Sequence, residues 1–546
     1  MKLRLLFLFS FSVTLASAQP EDLAVHFNQG LYLAGEDVYF TAYRTEPDST
    51  QWRSRVLHLV VSNPAGELVA RQRYPLDGAA AHGELHLPLG WAEGFYRFHF
   101  YTVWNLNYGA ARQNVVTVPI YNSLLEPTTQ LPAAATVART SVRREATDVL
   151  APVELKFELR EDEPSTLTLT AAQPTTVSVS IAPAERFAGW TDVMTQTNRF
   201  ATDPEATFAP QYAPETGLVI QGEIRDLESG APQHTDYLGI GFVEDRRLRW
   251  TNAPGGVFRM EPPAFFGERT LQYFDGNPFH KPLVRVKLTP PVVPELTAAT
   301  ERPRRDSTMV ELLKLDRRRR ELRQLFGQQP DRRPPLPFAP NDEFTPQNVY
   351  FTKDYIQFDN IIDFLEEVTL AKRKTERGYA KSMTLFNPNL SRHFMGPPVY
   401  IVDNYLTFNE EDVLSIDYAD IESVELFTDL RTLQEQFKLM GANGVVRFTT
   451  KSRDLPGSIT RAANNYQLEG YHFVEPYERQ PTEGAVPDLQ TILLWEPQVE
   501  VGPKGKKLEV TANDLPGRYR VTVMGVDAEG TPFEVVREVE FSSGIR

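Results

Sequence analysis

One histidine pair has a spacing used in metal sites. The stretch "HGELHLPL" places His82 and His86 four residues apart. This spacing binds zinc in a protease when both histidines lie on a helix and a glutamate directly follows the first. Here Gly83 follows His82, and Pro88 comes two residues after His86, which favours a strand. The pattern therefore predicts no zinc site.

Two glycine-containing stretches could hold phosphates if their spacing were right. "GPKGKK" at residues 502–507 lacks the spacing and the hydroxyl residue of a phosphate-binding loop. "GIGFVED" at residues 239–245 lacks the third glycine and the following helix of a dinucleotide-binding fingerprint. We interpret both stretches as turns.

Clusters of acidic and basic residues are the remaining candidates for a functional site. Glu366-Glu367 and Glu410-Glu411-Asp412 could pair as acids, but adjacent carboxylates are usually solvated. The run Arg317 to Arg320 is interleaved with acids and lies among apolar residues at helical spacing, which predicts a helix with a solvated charged face. We expect no catalytic residue, no cofactor and no metal ligand.

The composition limits the function further. The 546 residues carry a net charge of −15, which opposes nucleic-acid binding. The sequence has no cysteine, so it has no disulfide, thioester, cysteine nucleophile or thiolate metal site. The 42 prolines and 32 glycines indicate many turns and several domains.

The first residues read as an export signal. Lys2 and Arg4 precede an apolar run from Leu5 to Leu15, and the small residues Ala16 to Ala18 follow. This order is typical of a cleaved secretory signal peptide, and the run is too short to span a bilayer. We expect export to the periplasm or the periplasmic face of an outer membrane, with the cell surface as the alternative, and peripheral membrane association only.

Alternating polarity predicts strands along much of the chain. In "GFYRFHFYT", Tyr96, Phe98 and Phe100 share one face and Arg97 and His99 the other, as in a half-buried sandwich strand. The order of pieces between residues 19 and 122 resembles the macroglobulin-type domain, with Gly35-Glu36 before a strand, Pro64-Ala65-Gly66 in a hairpin and Gly94-Phe95-Tyr96 opening the penultimate strand. Near the other end, "LPGRYRVTV" repeats the Gly-x-Tyr-Arg order with Gly517, Tyr519 and Arg520.

The middle of the chain predicts further sandwiches. Residues 153–215 contain clean alternation in "VELKFEL", "STLTLTA" and "TTVSVSIAP". Residues 217–292 resemble the carboxypeptidase-regulatory-like sandwich, with Gly222 and Arg225-Asp226 in the places of its first hairpin. That resemblance implies an accessory domain and no peptidase activity.

The segment from Pro397 to Lys451 reads as strand, loop, strand, helix, strand. Val399 to Val402, Ile421 to Phe427 and Val445 to Thr450 are the strands, and the helix between the last two is long enough to cross over between parallel strands. The segment resembles the plug domain of TonB-dependent outer-membrane receptors of the Bacteroidetes type. The matching residues are Pro398, Tyr400, Ile401, Val402, Asp403, Asp420, Ile421, Glu422, Ser423, Val424, Glu425, Gly441, Ala442, Asn443 and Gly444. The resemblance departs at Asn404, where the family has a glycine, and only 95 residues follow Lys451, with no train of barrel strands.

The sequence thus predicts a mainly β multidomain protein with several immunoglobulin-like or macroglobulin-like β-sandwiches and one small α/β plug-like domain. The predicted parts are a signal peptide (1–18), a macroglobulin-like sandwich (19–122), a linker (123–152), a second sandwich (153–215), a carboxypeptidase-regulatory-like sandwich (216–300), a helical and proline-rich linker (301–345), the plug-like domain (346–455) and a C-terminal macroglobulin-like sandwich (456–546). We expect a non-enzymatic binding or scaffold protein that is accessory to an outer-membrane transport or assembly complex. Its expected partners are proteins at the outer membrane, and a β-barrel protein is one option. The candidate partner surface is the plug-like motif. The alternative is a surface-displayed macroglobulin-like protein that binds proteases or host factors without thioester chemistry.

Overall fold

A computed structural model describes residues 20–45, 54–109, 114–124, 152–160, 164–187, 210–277, 280–299, 301–325, 343–374, 382–453, 455–461, 464–479 and 487–541. The predicted signal peptide and almost all of the predicted linker 123–152 lie outside these residues. No helix among the described residues is long and apolar enough to cross a membrane.

The described chain is mainly β, as predicted from the sequence. The first strands are β1 (Leu23–Phe27), β2 (Tyr32–Leu33), β3 (Asp37–Arg44), β4 (Val56–Ser62), β5 (Leu68–Pro75), β6 (Ala80–His86), β7 (Gly94–Tyr101), β8 (Asn114–Tyr121), β9 (Val153–Glu158), β10 (Ser165–Ala171), β11 (Thr175–Pro183), β12 (Ile220–Asp226), β13 (Thr235–Phe242), β14 (Arg247–Ala253), β15 (Val257–Met260), β16 (Glu268–Asp275) and β17 (Val284–Leu288).

Helices and strands alternate in the next part of the chain. The elements are α1 (Ser307–Leu325), β18 (Asn348–Phe351), α2 (Ile361–Val368), β19 (Lys372–Lys374), β20 (Ser382–Thr384), β21 (Phe386–Asn387), β22 (Arg392–His393), β23 (Val399–Val402), β24 (Tyr405–Thr407), α3 (Glu410–Leu414), β25 (Ile421–Phe427), α4 (Leu430–Gln436), β26 (Val445–Thr450) and α5 (Gly457–Thr460). The last strands are β27 (Asn465–Glu469), β28 (Leu494–Val501), β29 (Lys506–Val510), β30 (Gly517–Val526) and β31 (Pro532–Phe541).

The described residues group into two compact units. Unit 1 draws on residues up to 216, on 292–331 and on those from 474 onward, and unit 2 draws on 217–291 and 332–473. Each unit is therefore assembled from segments that are distant in the sequence, so the domains do not follow one another along the chain as simply as the sequence predicted.

The first sandwich of unit 1 is built from β1 to β8. One sheet has the order β1-β3-β6 and the other β2-β8-β7-β4-β5. Tyr96, Phe98 and Phe100 lie in its core, as the alternation in β7 predicts. The opposite face of β7 is not simply solvated, because His99 is buried too.

The second sandwich of unit 1 corrects two predicted boundaries. Strand β10 pairs with β9 on one side and β29 on the other, and β11 pairs with β28 and β30. Residues 153–183 and 494–541 therefore share one core and do not form separate sandwiches. The physical reason is that β9 and β10 lie in one sheet and β11 lies in the other, and neither sheet is wide enough without further strands. Among the described residues, β29 completes the first sheet, and β28, β30 and β31 complete the second.

Helix α1 covers one end of unit 1. Met309, Leu312 and Leu313 are buried in a small cluster with residues of the first sandwich, as their helical spacing predicts. The expectation of a solvated arginine face holds for Arg318, which is exposed, and is wrong for Arg319, which is buried.

Unit 2 contains a third sandwich. Its sheets have the orders β15-β12-β17 and β14-β13-β16-β27. Strand β27 belongs to the predicted C-terminal sandwich by sequence position, but it pairs with β16 and so lies in this one. Gly222 stands where a Cβ atom would come within 2.5 Å of the Lys287 carbonyl oxygen, so a glycine is required for β12 to lie against β17.

The remainder of unit 2 is an α/β module, defined here as the described residues between 343 and 461. Its main sheet has the order β18-β25-β26-β23-β24. The three predicted strands end at the predicted residues, and the predicted helix forms as α4, capped by Asp429. The expected parallel pairing of β25 with β26 is wrong, since these strands are antiparallel, and β26 is instead parallel to β23.

Candidate partner-binding site

The three parts of the predicted partner surface converge on one sheet. Strand β26 lies between β23 and β25, and the residues Gly441 to Gly444 lead directly into it. The sequence motif therefore describes one continuous piece of structure rather than separate patches. Most of its apolar side chains face inward, with Tyr400, Ile401, Val402, Ile421 and Val424 all buried.

Asp403 and Asn404 form the turn between β23 and β24. Val402 pairs with Tyr405, so these two residues are the whole loop, and both have positive φ angles, 45° and 76°. A two-residue turn of this kind favours glycine, asparagine or aspartate, which tolerate this conformation. Asn404 can therefore replace the glycine that the resemblance leads one to expect.

The Asp403 carboxylate also ties this turn to the end of β26. It accepts hydrogen bonds from the Thr450 backbone N–H at 2.8 Å and from Arg453 Nη1 at 2.6 Å, and it also contacts the Thr450 hydroxyl. Asp403 is thus a structural residue that fixes the ends of two neighbouring strands.

Asp420 has a similar role on the other side of β26. Its carboxylate accepts hydrogen bonds from the Ser452 backbone N–H at 2.9 Å and the Ser452 hydroxyl at 2.5 Å, while its carbonyl oxygen accepts one from the Lys451 N–H at 2.7 Å. The acidic residues at the ends of the matching stretches hold the sheet together through backbone contacts.

The stretch from Gly441 to Gly444 makes the tight entry into β26. A Cβ atom on Gly441 would lie 2.7 Å from the Phe437 Cβ, and Gly444 has a φ angle of 88°. Asn443 accepts a hydrogen bond from the Gly396 N–H at 3.1 Å, which anchors the segment before β23. Each of these residue types is explained by local geometry.

Two polar side chains of the sheet lie in buried surroundings. Glu425 pairs with Arg447 on the adjacent strand, with 2.8 Å between Oε2 and Nε. Tyr400 is buried, and its hydroxyl has no hydrogen-bond partner within the described ranges. Burial, with a smaller contribution from the Glu410 charge, raises the pKa of Tyr400 well above its usual range, so the phenol stays neutral.

The motif therefore offers little surface to a partner. Of its residues, Glu422 and Ala442 are exposed, whereas Asp403, Asp420, Glu425 and Asn443 are half-buried and engaged in the contacts above. The predicted motif locates the sheet correctly, but its residues serve mainly to build that sheet.

The surface that sequence analysis missed is the edge strand β18. Its outer side pairs with no strand in the part of the chain that the structure describes, since β18 is at the end of its sheet. Tyr350 packs on the core, whereas Val349 and Phe351 point outward and are 46% and 44% exposed. Ile356 follows at 76% exposed. The run of β-branched and aromatic residues from Val349 to Phe351 is the sequence signal that could have identified this strand.

Other segments of unit 2 contribute side chains to the core of the module. Helix α2 buries Ile361, Phe364 and Leu365 in this core. Leu248 and Phe274 of the third sandwich belong to the same cluster. The plug-like segment and the sandwich at 217–291 thus share a hydrophobic core within unit 2.

The histidine pair and the two glycine-containing stretches lie in different parts of the structure. His82 and His86 lie on strand β6, and His86 contacts Asp37 at 2.7 Å. "GPKGKK" forms the turn from β28 to β29, as interpreted from the sequence. The interpretation of "GIGFVED" as a turn is wrong for residues 239–242, which lie inside β13, where Gly239 leaves room for the Trp250 ring. No group of acidic or histidine side chains suited to a metal ion occurs among the described residues.

The acidic stretches differ in exposure. Glu366 and Glu367 are exposed at the end of α2, as expected. Glu410 is half-buried and accepts a hydrogen bond from the Met383 N–H at 2.9 Å, and burial raises its pKa. Glu410 is therefore not a freely solvated carboxylate.

An open cleft of about 500 Å³ in unit 2 is lined by Asp226, Pro232, Gln233, His234, Asn277, His280 and Lys281. His280 lies 2.7 Å from the buried Asp275 carboxylate. The seven described lining residues include no serine, threonine or cysteine.

No protein-family model and no curated protein matches this sequence. Solved structures similar to the chain include Escherichia coli alpha-2-macroglobulin activated by porcine elastase, at 8% identity and a TM-score of 0.25, covering 96% of this chain and 44% of that one. Another is Salmonella alpha-2-macroglobulin reacted with methylamine, at 7% identity and a TM-score of 0.24, covering 96% of this chain and 40% of that one. The chain spans less than half the length of these proteins, and likeness at this level does not assign it a function.

Proposed function

We propose that this protein is an exported binding or scaffold protein that works without catalysis at the outer membrane of a Gram-negative envelope. In this proposal the α/β module is a receptor plug reused as a binding module, and the third sandwich is a carboxypeptidase-regulatory-like accessory domain. The export signal and the plug resemblance in the sequence support this reading.

The observation that carries the proposal is the outer edge of β18, which pairs with no strand among the described residues. An unpaired edge with exposed Val349 and Phe351 can accept an extended segment of another chain through backbone hydrogen bonds, while the apolar side chains contact alternate residues of that segment. Natural proteins usually protect such edges with charges or proline, and the four residues of β18 contain neither. The partner we propose is therefore a protein that offers an extended, largely apolar segment.

Chemical cross-linking in the producing cells tests this proposal. A Val349→Glu/Phe351→Glu variant should fold and be exported as the unmodified protein is, because both side chains are exposed, but it should lose its cross-linked envelope partner. The matched control is Val257→Glu, which changes a 57% exposed valine on β15, an edge strand of another sheet in the same unit. Capture of the same partner in the same yield by the double variant would refute the role of β18.

Cell fractionation tests the proposed location separately. The protein should leave washed membranes in carbonate, and protease added to intact cells should spare it if it faces the periplasm. Release that requires detergent would contradict peripheral association.

A further inference from the structure

Arg319 is a buried cation with unused hydrogen-bond donors among the described residues. It lies on helix α1 in unit 1, and 5% of its surface is exposed to solvent. Its Nε and Nη1 atoms have no hydrogen-bond partner in the part of the chain that the structure describes. A guanidinium does not lose its proton at any pH that proteins tolerate, so this side chain carries a full charge in a site that excludes most water.

The carboxylates near Arg319 are committed to other arginines. Glu36 accepts two hydrogen bonds from the fully buried Arg186, at 2.8 and 3.2 Å, and a third from the Leu33 N–H at 2.8 Å. Asp316 Oδ2 accepts hydrogen bonds from Arg320 Nε at 2.7 Å and the Ser123 hydroxyl at 2.6 Å. Neither carboxylate makes a hydrogen bond to Arg319.

The charges of this group do not balance. Arg186, Arg319 and Arg320 carry three positive charges, and Glu36 and Asp316 carry two negative ones. Burial lowers the pKa of Arg319, and the charge of Arg186 acts in the same direction, so two of the cations repel each other across the group. Arg186 also has an Nε atom without a hydrogen-bond partner among the residues described. The cluster therefore combines one surplus positive charge with unused donors on two arginines.

An unpaired buried charge is strongly destabilising, because removing an ion from water costs several kcal/mol that no partner offsets. A small anion that accepts hydrogen bonds would supply both the missing charge and the missing acceptors. The low exposure of Arg319 excludes a bulky ligand, since only a small ion can approach a side chain with so little accessible surface.

We propose that the cluster of Arg186, Arg319 and Arg320 binds one small oxyanion of the sulfate or phosphate class, with Arg319 as its main ligand. The anion stabilises the contact between helix α1 and the sandwiches of unit 1, since it neutralises the group on which these elements meet. This site lies in unit 1 and is independent of the β18 edge in unit 2.

Calorimetric titration of the full-length protein with sodium sulfate, at constant ionic strength maintained with chloride, tests the proposal directly. We expect saturable binding of one sulfate per chain and a rise in the thermal unfolding midpoint with sulfate that chloride does not reproduce. The Arg319→Met variant should bind sulfate about tenfold more weakly or worse, because it loses a charge-assisted hydrogen bond. The control Arg318→Met changes the exposed neighbour on the same helix and should bind as the unmodified protein does.

The stability of Arg319→Met in sulfate-free buffer gives a second reading. Without its anion the guanidinium destabilises the fold, so this variant should be at least as stable as the unmodified protein there and less stable in saturating sulfate. Circular dichroism checks that it is folded. The proposal fails if the unmodified protein shows no saturable binding, if Arg319→Met binds sulfate equally well, or if it is much less stable in sulfate-free buffer.

Discussion

His26 and Ser178 connect the two sandwiches of unit 1, with 2.6 Å between the histidine Nδ1 and the serine Oγ. His26 lies on β1 and Ser178 on β11, and the second ring nitrogen lies 3.2 Å from the Ser180 hydroxyl. Burial, with the charge of Arg520 as a smaller cause, lowers the pKa of His26 to about 3. The imidazole is therefore neutral in the folded protein at any pH above that value.

This histidine should make unit 1 sensitive to acid. Above pH 6.5, His26 is neutral in both the folded and unfolded states and the stability is fully present. As the pH falls from 6.5 towards 3, the unfolded state takes up a proton that the folded state refuses, so the free energy of unfolding decreases by up to ~4 kcal/mol from this group.

Urea denaturation at pH 7 and pH 4 measures this effect. His26→Gln keeps a polar contact to Ser178 but does not titrate. Its stability deficit relative to the unmodified protein should therefore shrink or reverse at pH 4. A deficit that is the same at both pH values would show that His26 does not contribute to acid sensitivity.

Replacement of Asn404 by glycine should destabilise the β23–β24 hairpin less than replacement by a residue branched at Cβ. Its φ angle of 76° costs glycine nothing, whereas a side chain branched at Cβ is strained there by about 1–2 kcal/mol. Asn404→Gly should leave amide hydrogen exchange across β23 and β24 nearly unchanged, and Asn404→Val should speed it. Equal exchange in the two variants would mean that this turn does not limit the stability of the hairpin.

Phe274 should stabilise the α/β module although it lies in the third sandwich. It is fully buried in the module core, and its ring centroid is 5.8 Å from that of Phe408. Phe274→Ala should lower the free energy of unfolding of unit 2 by about 3–5 kcal/mol, because it leaves a cavity between the two parts. Phe266→Ala, which changes a 41% exposed ring of the same sandwich, should have a small effect in the same urea titration.

The segment from Pro397 to Lys451 depends on side chains outside it for its core. If its core is completed by Phe274, Leu248 and helix α2, then a fragment from Pro397 to Lys451 should not fold alone. A fragment with dispersed, native-like NMR signals would contradict the shared core.

The sequence predicted local structure well where periodicity alone decides it. The strands at Val399–Val402 and Ile421–Phe427 and the helix α4 followed from apolar runs, spacing and capping residues. Pairing partners were less predictable, since alternation in β10 says which face is buried and nothing about whether β29, more than 300 residues away, lies beside it. The helix between β25 and β26 likewise suggested parallel strands, but it does not determine which strands pair, and these two are antiparallel.

The candidate site shows the same limit. The motif residues were located correctly in one sheet, but whether a matching residue faces a partner or the core depends on layers supplied by distant segments. The exposure of β18 and the burial of Arg319 are both properties of the assembled fold. The alternation of polarity and the position of a charged residue in the sequence do not predict whether that residue is exposed or buried in the fold.

Glu425 and Arg447 should behave as a coupled pair in the module. They face each other directly across β25 and β26, and their side chains are 13% and 7% exposed. The guanidinium also lies over the rings of Phe344 and Phe427, at 5.7 and 5.9 Å from their centroids. Arg447→Met should destabilise unit 2 by about 3–5 kcal/mol, because it leaves the Glu425 charge unpaired in a largely buried place.

The double variant Glu425→Leu/Arg447→Met separates the charge from the packing. It removes both charges and keeps apolar side chains of similar length, so we expect it to be more stable than Arg447→Met and close to the unmodified protein. Arg447→Lys should fall between the two, since lysine keeps the charge but not the planar group that stacks on the phenylalanine rings. Urea unfolding of the unmodified protein, the single variants Glu425→Leu and Arg447→Met and the double variant gives the coupling energy. If the effects of Glu425→Leu and Arg447→Met simply add, the pair makes no specific contribution and the strands are held by their backbone and apolar contacts alone.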